Sequence, residues 1–353
     1  MAEQVRARAA IIGCGAIAVE HLKYLSASPL VELVAVCDVS KAAPEFTRDR
    51  FGAAAAFVDS QAMLDQARPD VVHVLTPPHH HAELVLACLD SGAHVICEKP
   101  MAGTADETEA LLRHARERKR HLIESHNYLF NDIVIGLGAM IADGSLGEIV
   151  EVDLLLSLDF LSGPLGDTNL EGASVRLPGG AVQDFLPHLA YLFLHFTGHQ
   201  GEVGDARGYF ENLSGNPRAV FDHMDALVRA GGKRGRLKVV SDGHPDMFRV
   251  TIRGTKGTVE TDLFNPYLRV DGSPNIGKRA PWGQIRNGLA LARAGVRNFR
   301  QKVLQHGTYH GMPRMLDAIY RSIRDDTTPP ISESDMLDSA RLIDRLVQLG
   351  AAR

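Results

Sequence analysis

A glycine turn, Gly13-Cys14-Gly15-Ala16-Ile17-Ala18, follows directly on the apolar run Ala9 to Ile12 and opens a stretch of helical spacing, Ala16 to Ser26. Few folds put such a turn between a strand and a helix. The glycines allow a tight bend and let main chain approach a pyrophosphate, the amides at the helix N-terminus meet its charge, and a small third residue lets helix pack on strand. Val31 to Cys37 reads as the next strand, and Asp38 closes it about 20 residues beyond the last small residue. A carboxylate there can accept hydrogen bonds from both hydroxyls of an adenosine ribose and repels a 2′-phosphate. Gly13, Gly15, Ala16, Ile17 and Asp38 are therefore candidate contacts to a dinucleotide, with NAD preferred. Ser40 and Lys41 would tolerate a phosphate, so NADP is admitted as the second cofactor.

The same rhythm continues. Ala42 to Phe51 is helical, Val71 to Thr76 is a strand stopped by Pro77-Pro78, Ala82 to Ser91 is helical, His94 to Cys97 is a strand and Thr104 to Lys119 a charged helix. Apolar strands separated by single helices predict a parallel sheet covered on both faces, an α/β Rossmann domain over residues 1–125. Beyond that point strand-like segments follow one another: Ile149 to Asp159, Val203 to Glu211, His223 to Ala230, Arg236 to Ser241, Met247 to Arg253 and Thr258 to Leu263. Turn residues such as Gly231-Gly232 and Gly254-Thr255-Lys256-Gly257 separate them, which predicts an α+β domain over 126–353 built on an open, largely antiparallel sheet.

The chain has 353 residues, enough for two cores at the usual one domain per roughly 100–200 residues. A 45% hydrophobic, 23% charged composition excludes whole-chain disorder, and a net charge of −5 from balanced acids and bases gives no nucleic-acid footprint. No run is long enough to span a bilayer and the first residues lack a signal-peptide layout, so a cytoplasmic protein is expected. Cys14, Cys37, Cys88 and Cys97 match neither a zinc spacing nor a disulfide framework.

Two further motifs carry chemistry. Glu98-Lys99-Pro100 follows a strand of the parallel sheet, at the carboxyl edge where ligands sit, so Lys99 can face a cofactor crevice; a surface ion pair before a proline turn is the plainer reading. Gly179-Gly180-Ala181-Val182-Gln183-Asp184-Phe185-Leu186-Pro187-His188 leads into an apolar helix. If that helix includes Asp184, the spacing of four sets its carboxylate and the His188 imidazole on one face, a pairing that suits proton transfer. A capping Asp and a satisfied core His is the alternative.

In their order along the chain these motifs resemble the glucose-fructose oxidoreductase, inositol dehydrogenase and rhizopine-catabolism (Gfo/Idh/MocA) family. The likeness takes in the glycine turn, Asp38, Thr76-Pro77 with His81, Glu98-Lys99-Pro100, Gly179-Gly180 with Asp184 and His188, and Gly254 to Thr258. The resemblance implies a Rossmann domain followed by an α+β domain whose open sheet commonly mediates homo-oligomers, and NAD(P)-dependent oxidation or reduction of a secondary alcohol on a sugar, cyclitol or sugar derivative. It implies Lys99 near the nicotinamide and the reacting oxygen, His188 as general acid/base, Asp184 as its polar partner, and Thr76, Pro77, His81 and Glu98 at the cofactor. A family enzyme using tightly held NAD for non-redox glycoside cleavage and a non-catalytic dinucleotide sensor are the alternatives. Two departures stand out. Where the family often has Asn-x-Arg-Phe, this chain reads Asn127-Tyr128-Leu129-Phe130, leaving Asn127 and Tyr128 as candidate substrate contacts without the arginine; and Leu186 replaces a common glycine.

No metal site is expected from the sixteen histidines, because neither His195/His199 nor His306/His310 has a recognisable third ligand. Gly272 to Leu316 contains eight Lys or Arg and no acid, with Ile285, Leu289, Ala292, Val296, Phe299 and Val303 at helical spacing. Packing on its own domain or a partner subunit is the first expectation for this basic amphipathic helix; contact with a phosphorylated or nucleotide-linked substrate, or with an anionic membrane surface near Trp282, comes after it.

Overall fold

A computed structural model describes residues 6–159, 176–201, 203–215, 219–272, 280–304 and 311–352. The chain divides into two compact units, Met1–Asn127 with Gly311–Ala340, and Tyr128–His310 with Arg341–Arg353.

The first unit runs β1 (Ala7–Ile12), α1 (Ala18–Ala27), β2 (Val31–Cys37), α2 (Ala42–Phe51), β3 (Ala55–Phe57), α3 (Ser60–Ala67), β4 (Val71–Val74), α4 (His81–Asp90), β5 (His94–Cys97), α5 (Ala105–Arg118) and β6 (Leu122–Glu124). The strands form one sheet in the order β3-β2-β1-β4-β5-β6, parallel throughout. Its middle strands are apolar because both faces are covered: Ala9, Ala10, Ile11, Val71, Val72, Val74, Val95 and Ile96 are fully buried. Helix starts are set locally. Asp59 accepts the Ala62 N–H ahead of α3, and Thr104 accepts the Glu107 N–H ahead of α5.

The second unit begins with α6 (Asp132–Ala142), β7 (Ile149–Ser157), α7 (Leu186–Thr197), β8 (Asp205–Glu211), β9 (His223–Ala230), β10 (Lys233–Val240), β11 (Met247–Gly254), β12 (Gly257–Asp262), β13 (Arg269–Gly272) and α8 (Ala280–Leu304). Its seven strands order as β13-β12-β11-β7-β10-β9-β8. Only β7 and β10 run parallel; the other pairs are antiparallel. Strand β9 alternates, burying Met224, Ala226, Val228 and Ala230 while Leu227 and Arg229 face out, as expected of a sheet covered on one face. Helix α7 supplies the cover. Its Phe193 ring occupies the space that a Cβ on Gly235 of β10 would need, so a glycine there lets helix and sheet meet.

Two last helices, α9 (Met312–Arg324) and α10 (Glu333–Ala351), return the chain to the first unit before it ends in the second. The stretch 311–340, expected with the second domain, thus packs with the first: Tyr320 and Met315 are buried there, bonded or in sulfur contact with His73 and Ser125. The basic segment seats on its own domain by a polar face. It forms α8, and the face turned to β13 is polar or small, with Asn287 and Asn298 bonded to the carbonyls of Val270 and Pro266 and Ala294 buried. Its apolar stripe points away, with Trp282 70%, Phe299 69% and Val296 56% exposed.

Candidate active site

At the glycine turn Gly13 takes φ +100°, and a Cβ on it would lie 2.7 Å from the Leu75 carbonyl oxygen, so only glycine fits between the end of β1 and the exit of β4. Gly15 has open space around its Cβ position. The first bond into the helix runs from Ala18 N–H to the Gly15 carbonyl, and no side chain caps α1 at Ile17. The amides of Gly15, Ala16 and Ile17 therefore stand at the helix N-terminus without an intrahelical partner, where an anion is stabilised. Asp38 braces this turn from β2: one carboxylate oxygen accepts the Cys14 N–H and the other the Ser40 N–H, at 2.8 and 2.9 Å. Burial pushes the Cys14 thiol up to about 11, so no negative charge arises in the turn itself.

The loop after β4 adds Thr76, whose Oγ1 is buried with no hydrogen-bond partner. A buried hydroxyl left unpaired is costly, which marks it as a contact that something else completes. His81, at the start of α4, is fully buried and bridges this loop to the next one: Nε2 lies 2.7 Å from the Thr76 carbonyl and Nδ1 2.9 Å from the Pro100 carbonyl. Its ring thus engages main chain, and it fixes Thr76 and the Glu98-Lys99-Pro100 turn. Glu98 is buried and Lys99 half-buried; the Glu98 carboxylate accepts the Lys99 N–H at 3.3 Å. Burial alone would raise the Glu98 pKa, yet the bond from His21 and the Lys99 charge hold it below the usual carboxylate value. Glu124, which the motifs did not single out, accepts the Met101 N–H at 2.7 Å and a His126 nitrogen at 2.9 Å, anchoring the same turn from β6.

In the second unit the Gly180–Asp184 segment is a 3-10 turn and α7 starts only at Leu186. The condition for an Asp184–His188 pair on one α-helical face is not met, because the tighter turn ends with Asp184 itself. What His188 does have is Tyr191, one turn on, whose hydroxyl lies 2.7 Å from its Nδ1. Tyr128 packs edge-on against the His188 ring at 4.8 Å between centroids, and its N–H points to the Tyr191 oxygen. Tyr191 is the residue that sequence reasoning missed; its place three positions after His188 in the helix was the available signal. Asn127 is buried at the start of a 3-10 turn, Asn127–Phe130. Leu186, in place of the common glycine, is fully buried at the first position of α7 and serves the core.

Among the described residues no group of three or more His, Cys, Asp or Glu is placed to hold a metal ion, and no helix is long and apolar enough to cross a membrane. His306 and His310 lie outside the described residues.

Residues 7–126 match the family described as an oxidoreductase family with an NAD-binding Rossmann fold, and residues 136–260 match the GFO/IDH/MocA C-terminal domain. The chain belongs to the Gfo/Idh/MocA family. It is 36% identical over 143 residues to D-glucoside 3-dehydrogenase of Escherichia coli, covering 40% of this chain and 41% of that protein. To levoglucosan dehydrogenase of Pseudarthrobacter phenanthrenivorans it is 25% identical over 258 residues, 66% of this chain and 65% of that one. Inositol 2-dehydrogenase of Rhizobium meliloti is 24% identical over 265 residues, 73% of this chain and 76% of the relative. The aligned part thus spans under half of the first relative and just under two thirds of the second. Among solved structures, a levoglucosan dehydrogenase in complex with NADH superposes with a TM-score of 0.80 at 20% identity, over 99% of this chain and 97% of that one, which places this chain in the same fold. The Gfo/Idh/MocA resemblance and the two sheet types read from the sequence are both borne out.

Proposed function

We propose that this Gfo/Idh/MocA protein is a dehydrogenase that moves a hydride between NAD(P) and a secondary alcohol or ketone on a sugar, cyclitol or sugar derivative. The observation that carries the cofactor half is the pairing of an uncapped helix N-terminus behind Gly13 with the Asp38 carboxylate at the end of β2. The orphaned Thr76 hydroxyl fits the same reading. When bound, the nicotinamide supplies the hydride acceptor or donor; the chain supplies orientation, charge and a proton site. Gly13, Gly15, Ala16 and Ile17 would hold the pyrophosphate, Asp38 the adenosine ribose, and Thr76 and Pro77 the next part of the dinucleotide. His81 and Glu98 hold the loops in place. In this reading the Lys99 ammonium stabilises the developing alkoxide and His188 takes or returns the hydroxyl proton with Asp184 as its polar partner, while Asn127 and Tyr128 are assigned to the substrate. The substrate class follows the names of the relatives: a glucoside, levoglucosan and an inositol.

The test is direct. Purified protein with NAD or NADP is offered inositols, glucosides, anhydro sugars, sugar phosphates and nucleotide sugars while reduced nicotinamide is followed by absorbance. His188→Ala should abolish turnover and retain cofactor binding; unchanged turnover in that variant would remove His188 from the reaction.

We also propose self-association through α8. Trp282, Ile285, Leu289, Ala292, Val296, Phe299 and Val303 are spaced alternately three and four apart, the seam of a helix pair, and all of the larger ones are exposed. Gly288 and Gly295 flank one side of this seam, where a parallel helix of a second copy could approach closely and meet arginine without like charges opposed.

A further inference from the structure

Four polar side chains cross the interior of the first unit in one line. Glu98 Oε1 lies 3.2 Å from His21 Nε2, His21 Nδ1 lies 2.8 Å from His73 Nδ1, and His73 Nε2 lies 2.8 Å from the Tyr320 hydroxyl. Both histidines are fully buried, Tyr320 is 1% exposed and Glu98 8%. His73 sits in β4 between Ile11 on one side and Ile96 on the other, a position where Val or Leu would pack without any polar demand.

With Glu98 ionised and both rings neutral, the three contacts set the protons. An ionised Glu98 can only accept, so His21 must donate from Nε2 and, as a neutral ring, accept at Nδ1. His73 must then carry its proton on Nδ1 and accept at Nε2, which leaves the Tyr320 hydroxyl as donor. Every bond in the line points the same way, from Tyr320 to Glu98. Burial holds the His73 pKa well below the usual imidazole value, consistent with a neutral ring. Lys99 and Ser125 face the Glu98 end; Tyr24 and Asp70 face the Tyr320 end.

The two ends open differently. Glu98 follows β5 at the carboxyl edge of the sheet, beside Lys99. Tyr320 lines a cleft of about 380 Å³ at the opposite edge, walled by Arg6, Asp70, His94 and Arg120, at or just before the first residues of β1, β4, β5 and β6, and by Arg324 at the end of α9.

We propose that Glu98, His21, His73 and Tyr320 form a proton path through the Rossmann unit, connecting the Glu98-Lys99 turn with water in the cleft on the far side of the sheet. Inward, the Tyr320 hydroxyl proton passes to His73 Nε2, the His73 Nδ1 proton to His21 Nδ1, and the His21 Nε2 proton to the Glu98 carboxylate; Tyr320 regains a proton from water. The net change is one proton moved from water to Glu98, and both rings change tautomer. Outward transfer reverses each step from the switched tautomers, so repeated passage in one direction requires both rings to return to their starting tautomers between transfers. The use of the path rests on the dehydrogenase reading: alcohol oxidation releases one proton for each hydride moved and ketone reduction consumes one.

Two measurements test it. In protein carrying nitrogen-15 histidine, without substrate or cofactor, two-bond nitrogen–proton spectra should show His73 as the Nδ1–H and His21 as the Nε2–H tautomer. Any other tautomer, or a doubly protonated ring at neutral pH, overturns the path. Then Tyr320→Phe and His73→Leu are compared with the native protein by stopped flow, reading nicotinamide absorbance and a pH indicator together. In the reducing direction both variants should keep the first hydride transfer and lose synchrony, with proton uptake about tenfold slower and recovered by concentrated imidazole buffer; uptake that stays in step with hydride transfer in both variants refutes the proposal. If the native protein transfers no hydride with any substrate, the dehydrogenase reading fails, while the tautomer spectra still judge the path.

Discussion

The Tyr191 hydroxyl lies 2.7 Å from Nδ1 of His188, and the Tyr128 N–H reaches the same oxygen at 3.4 Å. For His188 to take a proton at Nε2, Nδ1 must be the protonated nitrogen, and the tyrosine oxygen then accepts from it. In the proposed reaction Tyr191 is thus a positioning residue, setting tautomer and ring angle. Tyr191→Phe keeps the packing of a side chain 3% exposed and removes this anchor together with the longer bond from the Tyr128 N–H. It should lower kcat by about 10-fold with little change in KM and displace the pH-rate profile, as loss of an orienting partner does; an unaltered profile argues against the role.

Thr76→Val removes a buried hydroxyl that has no partner in the protein. Without cofactor the variant should be as stable as the native chain or more so, whereas NAD affinity should fall about 5- to 10-fold, the value of one ordinary hydrogen bond. Thermal melts with and without NAD give both signs in one experiment.

Asp38→Asn keeps an oxygen for one of the two amides that the carboxylate holds, Cys14 and Ser40, but turns an NH2 to the other. A cost of about 1–2 kcal/mol in stability is expected. Removing the charge should also shift the ratio of kcat/KM for NAD over NADP by about tenfold towards NADP, since the repulsion of a 2′-phosphate is gone. Steady-state kinetics with both cofactors reads the ratio.

His223 bridges Asp222 and Asp242 at 2.8 Å each. Burial opposes its charge, but these two bonds hold its pKa above the ordinary 6.5. Burial likewise opposes the Asp222 charge, while His223 and the Ser214 and Leu213 amides bring it below 3.8. The imidazolium contribution is complete below its unfolded pKa and lost as pH rises through the raised folded value. The carboxylate contribution is complete above its unfolded pKa and lost as pH falls through the lowered one. Both act fully between roughly pH 4 and 6.5. His223→Gln should lower Tm by about 2–4 °C at pH 5.5 and by less at pH 9; equal losses at both pH values would leave only packing.

Leu289→Glu with Phe299→Glu places charge on the exposed stripe of α8 without touching the Asn287 and Asn298 bonds that seat the helix. Sedimentation should show a smaller species with an unchanged circular dichroism spectrum. An oligomer of native size would move the interface elsewhere.

Much of the parallel sheet was legible because its signals are local. The glycine turn, Asp38 and the apolar runs Val31 to Cys37 and His94 to Cys97 each carry their meaning within a few residues. Strands β3 and β6 were not found, being three residues each, too short for a periodicity to show. The spacing of four between Asp184 and His188 does not lie within one α-helix, because a 3-10 turn ending at Asp184 precedes α7. Amphipathicity located α8 but left open whether its own domain or a partner subunit covers the apolar stripe; a pattern shows that one face differs from the other, not which face is covered. The line from Glu98 to Tyr320 had no local signal, since its histidines lie 52 residues apart and His73 and Tyr320 lie 247 apart.

Because Gly311–Ala340 belongs to the unit that opens the chain, the order of synthesis and the order of completion differ. A ribosome delivers the glycine turn first, yet Tyr320 and Met315 arrive only after the whole seven-stranded sheet has emerged. The nascent Rossmann half must wait with His73 and the flank of α1 uncovered, in need of shelter. A message truncated before codon 311 would yield a protein that carries every cofactor motif and has no finished domain to display them.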